Sequence, residues 1–167
     1  MATIKLAGAP INTIGDLPAV GTTAPEFDLI NPALEAVTLS QFAGKRKLLN
    51  IVPSIDTPTC ALSSRKFNES AKQNPDHIFM VIAADLPFAM TRFADVEGLE
   101  NMHFLSLMRG KMFAKAYGVL LVDGPLAGVT ARAVMVLDGD NTVLHAELVD
   151  DIKHEPDYET ALAALKQ

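Results

Sequence analysis

The chain is short of most things that would tie it to a special environment. It has one cysteine in 167 residues, Cys60, and no tryptophan. A single thiol cannot form an internal bridge, which excludes a secreted disulfide scaffold. No Lys/Arg run is longer than Lys45-Arg46-Lys47, and 14 basic residues face 20 acidic ones for a formal charge of −6. Nucleic acid is therefore not the expected partner, because phosphate binding needs a concentrated basic face. No stretch approaches the roughly 20 apolar residues of a membrane helix. The first ten residues lack an apolar core of signal-peptide length, so the expected location is the cytoplasm. Repeats, low-complexity tracts and linkers are missing too.

What remains is an ordinary globular composition, 49% hydrophobic and 20% charged. The length fits a single domain, residues 1–167, able to bury roughly 70% of its unfolded surface without metal or disulfide. Thr3–Leu6 and Ile11–Ile14 alternate around Gly8 and Pro10 and predict an N-terminal hairpin. Phe27–Ile30 predicts a short strand, and Thr38–Phe42 a helical turn ending at Gly44. The apolar runs Lys47–Val52 and His77–Ala84 have the character of buried strands, and Met102–Leu107 and Arg132–Leu137 predict further strands. Helical patterns fall at residues 58–73, Pro87–Val96, Met108–Tyr117 and Asp157–Lys166. Thr142–Val149 follows the turn Asp138-Gly139-Asp140-Asn141 as a hairpin strand. This order predicts an α/β chain with a central mixed sheet flanked by helices, in a thioredoxin-like sequence of elements.

The informative segment is Pro53-Ser54-Ile55-Asp56-Thr57-Pro58-Thr59-Cys60. It leaves a buried strand and enters a helix. Thr57 is a favoured N-cap and Pro58 suits the first helical position, which registers Cys60 third. Unpaired backbone N–H groups and the positive end of the helix dipole converge there and favour the thiolate, the reactive form of cysteine. A lone cysteine is more often an inert, buried small hydrophobe. The Pro-x-x-x-Thr-x-x-Cys spacing at a helix start argues for a nucleophile instead.

At these residues the chain resembles the peroxiredoxins. The stretches Asn50–Thr57, Ala84–Ala89, Glu97–Leu99, Tyr117–Val119, Gly124–Gly128, Thr130–Ala133 and Glu155–Tyr158 are similar to the bacterial thiol peroxidase subfamily. The resemblance implies that Cys60 is the peroxidatic cysteine, with Thr57 and Arg132 beside it and Pro53 shielding the thiolate. Arg132, permanently charged, would stabilise the thiolate and hold a peroxide oxygen. The Thr57 hydroxyl would accept a hydrogen bond from the peroxide, and the Thr59 and Cys60 backbone N–H groups would face the developing charge. It also implies hydrogen peroxide and alkyl hydroperoxides as substrates, with Phe88, Met90 and Phe93 as apolar contacts. A thioredoxin is the implied reductant, a homodimer the implied assembly, and no cofactor or metal is needed.

The chain departs from that subfamily at one place. A resolving cysteine is expected after Arg92-Phe93, and Ala94 stands there. Either the protein works by a one-cysteine route or Ala94 is a laboratory replacement for the missing sulfur. Two other readings compete with the peroxidase. A redox sensor or binding module of the same fold would relay oxidation to a partner, reacting once rather than turning over. A thioredoxin-like reductase needs Cys-x-x-Cys, and Thr57 fills its first position. His77, His103, His145 and His154 lack metal spacing. Asp138, Asp140 and Asn141 lack the downstream Glu of a calcium loop, and Gly118, Gly124 and Gly128 lack the Lys-Ser/Thr of a phosphate loop.

Overall fold

The computed structural model describes residues 1–167. Nine strands and four helices follow one another: β1 (Thr3–Leu6), β2 (Ala9–Asn12), β3 (Asp28–Ile30), β4 (Ala36–Thr38), β5 (Lys47–Ile51), α1 (Pro58–Gln73), β6 (Ile78–Ala83), α2 (Pro87–Glu97), β7 (His103–Ser106), α3 (Met112–Ala116), β8 (Ala133–Leu137), β9 (Val143–Leu148) and α4 (Tyr158–Leu165). Strands β3 to β9 form one mixed sheet in the order β4-β3-β7-β6-β5-β8-β9, and β1 and β2 form a separate hairpin. Every residue of β5, β6 and β8 is buried, as a sheet covered on both faces requires.

The pleat explains what each face receives. Leu48, Val52, Phe79, Val81, Val134 and Val136 point to one side, where they pack with Phe67 and Ala71 of α1, Met90 of α2 and Ala161 and Leu165 of α4. Leu49, Ile51, Met80, Ile82, Ala133 and Met135 point to the other, against Phe113 and Tyr117. Side chains alternate along a strand, so Arg132, one residue before Ala133, projects to the face that carries α1. This two-residue period decides where the chemistry can be.

Three expectations needed revision. The helix expected over Met108–Tyr117 is confined to Met112–Ala116, because Gly110 adopts a φ of 150° that no helix continues through. Strand β4 was not anticipated; it is three residues long and pairs antiparallel to β3 at the sheet edge, Leu29 opposite Val37. The second hairpin strand begins at Ala9 rather than Ile11. Ala7 and Gly8, with φ of 52° and 86°, make a two-residue turn of the kind whose twist suits a hairpin. Asp151 then clips this hairpin down: its carboxylate accepts from the Ala7, Gly8 and Lys153 amides at 3.1, 2.8 and 3.0 Å.

Candidate active site

The chain leaves β5 at Val52 and reaches α1 through a loop that Asp85 holds from the end of β6. The Asp85 carboxylate accepts from the Ser54 hydroxyl at 2.8 Å and from the Ile55 amide at 3.0 Å. Pro53 is buried at the start of this loop. Thr57 is extended, with φ −114° and ψ 150°, and its Oγ1 accepts from the Cys60 amide at 3.4 Å. Pro58 occupies the first helical position. The expected register therefore holds, and Cys60 is the third residue of a capped helix.

Cys60 has no exposed surface, and Arg132 is 1% exposed. The guanidinium donates through Nη1 to the Cys60 sulfur at 3.2 Å and through Nε to the Ile152 carbonyl at 2.8 Å. None of the ion pairs in the structure includes Arg132. Thr130, two residues earlier, donates to the Val52 carbonyl at 2.8 Å and so fixes the approach of Arg132 to the end of β5. Beneath the thiol, Ser63 donates to the Cys60 carbonyl at 3.1 Å and accepts from Asn50 at 3.2 Å. The sulfur is thus buried, faces the Arg132 guanidinium and stands at the N-terminus of α1.

A cleft of about 530 Å³ opens between the start of α1 and α2, lined among others by Ile55, Thr57, Ala61, Arg92, Phe93 and Val96. Cys60 lies behind this lining rather than in it. Of the three apolar residues expected to meet substrate, only Phe93 reaches the cleft, braced edge-to-face on Phe104 with ring centroids 6.0 Å apart. Phe88 is 64% exposed and points elsewhere, and Met90 is buried in the core beside Phe67. The helical period separates them: Met90 takes the inward face of α2, and Phe88 the outward one. Ala94 is half-buried on α2, against the same apolar cluster as Cys60, and its carbonyl accepts from Gly98 and Leu99 at the helix end.

Sequence reasoning did not find the residues that hold these groups in place. Asp85 reads as an ordinary polar residue at a strand end, and Thr130 only as part of the Thr130–Ala133 motif before a strand. Glu155 and Tyr158, singled out only as a motif, lie close enough to Arg132 for its charge to act on both.

Residues 19–162 match the family model described as Redoxin. The chain is 48% identical over 165 residues to a thiol peroxidase of Mycobacterium bovis, covering 99% of each sequence. Among solved structures, it is similar to a peroxiredoxin-like protein from Aquifex aeolicus, with a TM-score of 0.93, 32% identity and coverage of 99% and 96% of the two chains. A thiol peroxidase from Chromobacterium violaceum gives a TM-score of 0.91 at 27% identity, again covering 99% and 96%.

Proposed function

The chain belongs to the redoxin family and is a thiol-dependent peroxidase, and we propose that Cys60 is its nucleophile, with Arg132 and Thr57 as the groups that act on the peroxide. The observation that carries this assignment is the 3.2 Å contact between the Arg132 guanidinium and the Cys60 sulfur at the third position of a capped helix. The Cys60 thiolate attacks one peroxide oxygen and the O–O bond breaks. The other oxygen leaves with the electron pair, takes a proton and departs as water or an alcohol. Sulfur is oxidised to the sulfenic acid. A donor thiol then condenses with it, releasing water, and a second thiol cleaves the mixed disulfide to return the Cys60 thiol. Arg132 offsets charge on the attacking sulfur and on the peroxide oxygen that departs as the O–O bond breaks, and the Thr57 hydroxyl orients the peroxide. Pro53, buried in the loop before α1, keeps water from the thiolate.

Alkyl hydroperoxides stand beside hydrogen peroxide in this reading, with Phe93 as the apolar contact at the cleft. A thioredoxin is the proposed donor, acting on a single domain of residues 1–167 in the cytoplasm. No helix is long and apolar enough to cross a membrane. A homodimer is the proposed assembly, with exposed Leu86, Phe88 and Met112 among the apolar side chains available to a second copy. Ala94 leaves the sulfenic acid without an internal thiol, so the donor must reach it directly.

Intact mass after one equivalent of peroxide tests the assignment. The mass should rise by one oxygen and fall back on adding a thiol, and Cys60→Ser should lose at least ~95% of peroxide consumption while remaining folded. Turnover by the Ser variant, or a single oxidation with no catalytic recycling in the wild type, would assign the chemistry elsewhere or make the chain a sensor.

A further inference from the structure

Lys66, Glu155 and Tyr158 take no part in the proposed peroxide step, yet they meet at one oxygen beside it. Lys66 Nζ and the Tyr158 hydroxyl both donate to Glu155 Oε1, at 3.1 and 2.8 Å. The Lys66 ammonium also stands 4.6 Å from the centre of the Tyr158 ring, and that ring packs edge-on against Phe67 at 5.1 Å. Phe67 lies two turns beyond Cys60 on the buried face of α1, and Tyr158 packs against the apolar cluster that contains the thiol. None of the three lines the cleft. The same stretch of chain touches the site twice more. The Ile152 carbonyl takes the Arg132 Nε–H, and the Lys153 carbonyl takes the Thr59 hydroxyl at 3.2 Å.

Arg132 is a nearly buried cation without a carboxylate partner, so a carboxylate in the vicinity competes with the thiolate for its field. Glu155 is such a group. Hydrogen bonds from Tyr158 and then Lys66 hold its carboxyl below the ordinary range, and the charge of Arg132 adds to them. The Tyr158 phenol is held above its ordinary range by burial and by Glu155, so it stays a neutral donor that fixes the carboxylate. We infer that Lys66, Glu155 and Tyr158 form a tuning cluster that sets how strongly Arg132 holds the Cys60 thiolate. Glu155 draws on the guanidinium and weakens that hold; Lys66 offsets Glu155; Tyr158 fixes where the carboxylate sits. Lys66 and Glu155 are positioning residues, acting through Arg132. On the opposite approach to the thiol, Asp56, Asp85, Arg92 and Glu97 line the cleft and remain unchanged in the Glu155 and Lys66 variants that test this inference.

The inference rests on Cys60 being the nucleophile, but its test reads the thiol itself. Cys60 is the only cysteine, so ultraviolet thiolate absorbance and alkylation rate against pH report its titration whether or not peroxide turnover depends on it. Glu155→Gln keeps an acceptor for Tyr158 and removes the charge, so the midpoint should fall. Lys66→Met keeps much of the stem and removes the opposing charge, so the midpoint should rise. Each shift is expected at about half a pH unit, or roughly threefold in thiolate below the midpoint, because Lys66 and Glu155 are partly exposed and screened. The double variant should return near the wild-type value, and added salt should shrink both single shifts. A purely structural clamp would move both variants in the same direction or leave both unmoved, and either result overturns the inference. Opposite shifts with unimpaired turnover in Cys60→Ser would instead sink the nucleophile assignment and leave the tuning intact.

Discussion

The two helices that wall the cleft are held in very different ways. α1 is 16 residues long with six of them buried, and its first turn is closed by a threonine cap, a proline and the contact of Thr59 with Lys153. α2 is 11 residues long and buries only Pro87 and Met90. Its N-cap, Leu86, makes no side-chain hydrogen bond and is 51% exposed, and it ends on Gly98 in the left-handed region. An ion pair from Arg65 to Glu97, 3.3 Å long and partly exposed, ties it to α1. Few buried contacts and an open cap mean a low local opening energy. The nucleophile thus sits on the anchored wall, and the wall that can yield faces it. Because Cys60 has no exposed surface, this division decides which element must shift for a peroxide to arrive.

The largest effect should come from cutting the anchored side at its cation. Arg132→Met removes the donor on the Cys60 sulfur and should lower kcat/KM for peroxide by at least ~100-fold, with a higher pH midpoint for alkylation. Arg92→Met makes the same chemical change on α2, where no hydrogen bond reaches the thiol, and should cost about threefold or less, the scale of a partly exposed charge. Equal losses in steady-state assays would break the contrast between the helices.

A second, smaller effect probes whether α2 yields. Ala94→Cys places a thiol on that helix, and one equivalent of peroxide should then give an internal disulfide with Cys60, read by thiol titration and non-reducing peptide mapping. The two Cα atoms must come within about 7 Å. The last turn of α2 hangs on the Ala94 carbonyl, so forming the bridge requires that turn to unwind. Turnover with a dithiol donor should rise several-fold. A variant that stays a stable sulfenic acid would show α2 to be as firmly held as α1.

Much of this contrast could be read from the residues, and the reasons are local. Thr57-Pro58 at a strand exit sets the start of α1 to the residue, because cap and proline preferences act within one turn. The buried runs of β5, β6 and β8 are plain for the same reason: their apolar content does not depend on partners. Arg132 was assigned to Cys60 by resemblance, and the alternation of β8 supplies the physical cause only once its pairing with β5 is known. Met90 and Phe88 fall away from the cleft because residues two apart on α2 lie on different faces, and composition does not say which is inward. Asp85, Thr130 and the Ile152 carbonyl act across 30, 78 and 20 residues of chain, and no local pattern announces such ties. Strand β4 has three residues, too few for a period to declare itself.

The smallest expected effect is the sharpest test of the comparison, because it exchanges the caps. Thr57 and Leu86 stand at equivalent places, each extended, each followed by a proline at the first helical position. They differ in having a side-chain acceptor. Thr57→Ala deletes the acceptor for the Cys60 amide and should destabilise the protein by about 1 kcal/mol, lowering Tm by roughly 2–4 °C for a chain of this length. Leu86→Ser supplies the acceptor that α2 lacks. Leu86 is half-exposed, so little apolar burial is given up, and a gain of up to about 1 kcal/mol in local helix stability is expected. Global unfolding by urea should register the first change fully and the second only in part, since α2 can open before the sheet does. Amide exchange supplies the missing part: protection along Met90–Val96 should rise in Leu86→Ser and stay constant in Thr57→Ala. Should Leu86→Ser leave that protection unchanged, the open cap is not what loosens α2. Its scarcity of buried contacts would then be the whole cause, and a larger apolar residue on its inward face, rather than a cap, would be the change that stiffens it.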